Sequence, residues 1–91
     1  MSATISYKEV IGQYEEHVEA MNRIFQYDEE SGTLTIDTGY PYDIDLSRIH
    51  TPEFLLRWVV QLSQKNWMTS ELIGEFIIRV CGIKGWQPFG L

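Results

Sequence analysis

A single cysteine, Cys81, stands among the 91 residues, so no internal disulfide can form. It lies in the apolar run 76–81, where a reduced, inert, buried thiol is expected. That usage suits a reducing compartment, and a cytoplasmic location is expected, in a bacterial host if the chain is phage- or plasmid-encoded. Histidine is almost as scarce. His17 and His50 are the only two, and neither has a second histidine or a cysteine at ligand spacing, so no zinc site is expected. Asp43 and Asp45 form an Asp-x-Asp pair with no following glycine and no distal glutamate, which excludes a calcium loop of the EF-hand kind. No stretch approaches the ~20 apolar residues of a membrane span. The opening Met1-Ser2-Ala3-Thr4 has no basic region, so no signal peptide is expected. Glycine loops that cradle phosphate open helices, whereas Gly82 and Gly85 follow one. Ser47, Ser63 and Ser70 have no base at a telling distance. Neither catalytic residues nor a cofactor are expected.

Basic residues are scarce in the first half. Residues 1–45 carry Glu9, Glu15, Glu16, Glu19, Asp28, Glu29, Glu30, Asp37, Asp43 and Asp45 against Lys8 and Arg23, a local charge of −8 in a chain of −6. The remainder sums to +2. A one-signed surface steers association and repels like-charged ligands, so direct binding to nucleic acid is not expected.

What is present is ordinary globular composition, 44% hydrophobic and 13% aromatic, enough for one modest core. Ser6 and Glu9 form a capping box, and Ile5 with Val10 a hydrophobic staple. Tyr7, Val10, Ile11, Tyr14, Val18, Met21 and Phe25 then recur at helical steps, predicting a helix over 7–23. Strands are predicted at 24–28, 33–37 and 42–46, where Leu34, Ile36, Ile44 and Leu46 alternate with polar residues. Thr51-Pro52-Glu53 opens a helix over 52–65, ended by Lys65-Asn66 with Asn66 left-handed. Thr69 caps a last helix over 70–81, which Gly82 should stop. The expected fold is a single small α+β domain: an N-terminal helix, a short antiparallel sheet of two or three strands, and a C-terminal antiparallel helix pair. The expected core is Val10, Ile11, Tyr14, Val18, Met21, Leu34, Ile36, Ile44, Leu56, Val59, Val60, Ile73, Phe76, Ile77 and Val80. The apolar tail 82–91 should fold back, with Trp86 on the helix pair near Leu62 or Trp67.

Two binding surfaces follow. The acidic one is Glu15, Glu16, Glu19, Asp28, Glu29, Glu30, Asp37, Asp43 and Asp45. Carboxylates spaced along one surface imitate a phosphate backbone and suit a protein groove lined with Lys and Arg. The aromatic one is Trp58, Trp67, Trp86 and Phe89, which a core this small is not expected to absorb, and which would support a homodimer through helix 52–65. Small size, acidic balance and the lack of a catalytic motif are similar in general character to phage and mobile-element anti-defence inhibitors, including anti-CRISPR proteins. The resemblance implies a stoichiometric inhibitor of a nucleic-acid-handling complex. No motif carries it, so no residue role transfers with it.

Overall fold

The computed structural model describes residues 7–87, with side chains from Glu15 onward. Helix α1 spans Tyr7–Ile24 and runs straight into strand β1, Phe25–Asp28. Strands β2 (Thr33–Asp37) and β3 (Pro41–Asp45) complete an antiparallel meander in the order β1-β2-β3. A single 3-10 turn, Leu46–Arg48, leads to α2 (Pro52–Ser63) and α3 (Ser70–Lys84). The architecture is α+β, as the sequence predicts.

Alternation sets the sheet's two faces. Leu34, Ile36 and Ile44 are fully buried, while Asp37, Asp43 and Asp45 between them are exposed. The register pairs Leu34 with Ile44 and with Tyr27, so the inward side chains form one apolar layer. The helices cover this layer. Met21 enters it from the end of α1 beside Phe25 at the start of β1, Leu55 and Leu62 from α2, and Leu72, Phe76, Val80 and Cys81 from α3. Pro41 is tolerated because it opens an edge strand, where its missing N–H breaks no ladder.

Several expectations are corrected. Val18 is 37% exposed along with the rest of 15–19, and Met21 is the first buried side chain among those described. Leu56 and Val60 are about 60% exposed, since α2 turns Leu55 and Leu62 inward instead. Val59, Ile73 and Ile77 are half-buried. Ile49 joins the core unforeseen, while Leu46 and Leu72 join it from positions expected to face inward. α2 ends at Ser63, and no non-glycine residue is left-handed among those described, so Asn66 is not the stop. Tightening does that work, with the Gln64 N–H bonded to Gln61 O and Leu62 O. Thr51 sits at the N-cap without a side-chain hydrogen bond, whereas Thr69 Oγ1 accepts from Leu72 N at 3.1 Å as expected. α3 passes through Gly82 and stops at Gly85, whose φ of 74° is left-handed. There both the Gly85 and Trp86 N–H groups donate to Cys81 O, and Trp86 packs on the core. The capping box, the staple, Tyr7, Val10, Ile11, Tyr14 and residues 88–91, Phe89 among them, lie outside the described side chains.

Candidate protein-binding surface

The outer face of the sheet carries Gln26 and Asp28 from β1, Thr33, Thr35 and Asp37 from β2, and Pro41, Asp43 and Asp45 from β3. Apart from Pro41, every side chain on it is polar. The register interleaves the charges: Thr33 stands opposite both Asp28 and Asp45, and Thr35 opposite Asp43. No two aspartates are directly opposed, which spares the sheet cross-strand repulsion. Strand spacing puts Asp28 and Asp45 roughly 10 Å apart across the sheet and Asp43 and Asp45 roughly 7 Å apart along it. Among the described residues no group of three or more His, Cys, Asp or Glu side chains is placed to hold a metal ion across such gaps. The gaps are wide enough for each carboxylate to meet its own Lys or Arg.

The carboxylates are held in place. Asp43 Oδ1 accepts from Thr35 Oγ1 at 2.6 Å. Asp28 accepts from the Glu30 N–H and the Ser31 hydroxyl, both at 3.1 Å, in the turn closed by Gly32. Asp37 accepts from Gly39 N at 3.0 Å. Asp45 accepts from the Ser47 hydroxyl at 2.6 Å and the Ser47 N–H at 3.0 Å. The Ser47 hydroxyl and then its N–H, with weaker help from Arg48 and Lys84, hold Asp45 below the usual carboxylate range. Fixed acceptors lose less freedom when a partner's donor arrives.

The acidic residues do not form one patch. Asp28, Asp37, Asp43 and Asp45 share the sheet's outer face, with Glu29 and Glu30 at its rim. Glu15, Glu16 and Glu19 are exposed on α1, which belongs to the helical layer. There His17 Nδ1 lies 3.0 Å from Glu71 Oε1, and Arg79 Nη2 donates to Asn22 Oδ1 at 2.7 Å, tying α1 to α3. Arg79 also donates to Glu75 Oε2 at 2.7 Å and lies 5.4 Å over the Phe25 ring.

The aromatic candidates separate differently. Trp58, Trp67 and Trp86 are half-buried and pack on the core, so the core absorbs them after all. The Trp67 ring meets Tyr42 at 5.6 Å, and Lys65 Nζ lies 5.3 Å over the far partner of that pair, Tyr42. The aliphatic side chains at least half exposed are Leu56, Val60 and Ile78, of which the first two were expected in the core, and Tyr40 is more exposed still at 88%. A full helical-wheel comparison of the two α2 stripes would have raised the first two.

Comparison of the chain with protein-family models, with curated proteins and with solved structures finds no match.

Proposed function

We propose that this protein is a non-enzymatic binder, an inhibitor or regulator that sets its acidic surface into a basic groove of a nucleic-acid-handling complex. Anti-CRISPR and other phage anti-defence inhibitors, which the chain resembles in general character, act by binding a nuclease complex, and the charge pattern here suits a nucleic-acid mimic. The observation that supports it is the uncovered face of the sheet, where four separated, hydrogen-bonded aspartates stand with no apolar side chain but Pro41. A solvated face would tolerate lysines or serines there equally well. Changing Asp28, Asp37, Asp43 and Asp45 together to Asn keeps the hydrogen-bond acceptors and removes the charge. Against CRISPR effector complexes the wild type should associate at a rate that falls steeply between low and physiological salt. The Asn variant should associate about tenfold more slowly and compete less well with nucleic acid. A rate indifferent to both changes would sink the electrostatic reading.

A homo-oligomer is the second reading, now resting on Leu56 and Val60, about 60% exposed one turn apart on α2. Sedimentation of a monomer at high micromolar concentration would remove it.

A further inference from the structure

β1 is an edge strand. Among the described residues only β2 pairs with it, so no other described strand meets its outer edge. The sheet's other edge, β3, is guarded by Pro41, which cannot donate. Beside β1, on the covered side of the sheet, lies an open groove of about 290 Å³ lined by Tyr27, Leu34, Arg79, Gly82 and Ile83. Its lining takes residues from β1 and β2 and none from β3, so it opens toward the bare edge. Leu34 forms a buried floor, while Tyr27 and Ile83 stand 40% and 38% exposed on its walls.

Gly82 is exposed on the wall of the groove. A glycine inside a helix is destabilising relative to alanine. Its φ is not left-handed, and a Cβ built there would meet nothing within 4 Å. Neither backbone strain nor close packing therefore requires it. Arg79, its charge already matched by Glu75, closes one side as a fixed wall. Immediately past Tyr27 the turn carries Asp28, Glu29 and Glu30, all exposed.

We infer that this groove and the open edge of β1 take an extended segment of a partner protein by strand addition. One apolar side chain of the segment sits between Tyr27 and Ile83, and basic residues run past Asp28, Glu29 and Glu30. Main-chain bonds supply affinity, the groove selects the side chain, and the acidic turn selects the charge. The inference rests on the reading of the chain as an acidic binder and names what that partner presents.

The probe is a short acetylated peptide of alternating leucine and lysine, followed by amide NMR of the full-length protein. Titration should shift the signals of β1 and of residues 79–83. N-methylating every second residue of the peptide, which removes edge hydrogen bonds, should weaken binding at least about tenfold. Gly82→Leu, which fills the groove, should do the same while the melting temperature holds or rises, and Gly82→Ala controls for helix stabilisation. Salt-sensitive binding that shifts only the aspartate face and ignores both changes overturns this inference and leaves the acidic-binder reading standing. Equal affinity for a leucine–glutamate peptide overturns it and counts against that reading too. A free protein that sediments as a dimer with β1 protected from hydrogen exchange overturns it in favour of a second copy on the edge.

Discussion

The sheet and the helical layer handle their outer surfaces in opposite ways. On the sheet, polar residues occupy the solvent face from Gln26 to Asp45 and each aspartate has a hydrogen-bond donor. On the helices, Leu56, Val60 and Ile78 stay at least half exposed, although Leu55, Leu62 and Phe76 nearby are fully or almost fully buried. A strand has two faces and no intermediate, so one residue cannot serve both. A helix has a continuum of directions, and α2 carries two apolar stripes of which the core takes one. Specific charge placement belongs to the sheet, and spare apolar surface belongs to the helices.

The contrast is broken most forcibly at Phe76. Phe76→Ala should cost roughly 3–5 kcal/mol by thermal or denaturant unfolding, whereas Leu56→Ala on the exposed stripe should cost about 0.5 kcal/mol or less. Near-equal losses would mean that the outer stripe of α2 is covered in solution. Next comes Arg79, the polar tie between α1, β1 and α3. Arg79→Met keeps the stem over Phe25 and removes the bonds to Glu75 and Asn22, and should cost about 1–2 kcal/mol in denaturant unfolding. The two caps give a smaller and cleaner comparison. Thr69→Ala should cost about 1 kcal/mol, and Thr51→Ala, which removes no side-chain hydrogen bond, about a third of that or less.

The smallest effect is on the sheet side, at Asp45. Its pKa is depressed in the folded state, so its contribution is present above the unfolded value of 3.8 and is lost as pH falls through the folded value. Ser47→Ala removes the main cause of the depression. Melting curves of this variant and the wild type should therefore differ most above pH 3.8 and converge in stronger acid. A gap that widened on acidification would contradict the assigned cause.

The strands were legible because their period of two leaves a single choice of face, and Leu34, Ile36 and Ile44 all lie where alternation puts them. α2 was not, because Leu55–Leu62 and Leu56–Val60 are equally apolar stripes and only the approach of the sheet chooses between them. Ile49 was missed because it sits between elements, where no period applies. Gly82 and Gly85 are equivalent as stop signals. The chain uses the second, which lets Trp86 double back onto the core. Of the candidate surface, the acidic residues could be read from charge alone, although their division between sheet and α1 could not. The groove beside β1 had no linear signal, since it exists only where three elements meet.

Cys81 has a practical consequence. Its side chain is 5% exposed, and its carbonyl receives the two N–H groups that end α3. A thiol-specific reagent can reach it only after that last turn comes away from the body of the protein. With one thiol per chain, labelling should follow a single exponential that clocks this opening. The native sequence thus provides a stopwatch for the C-terminal end of α3, with no dye or substitution required.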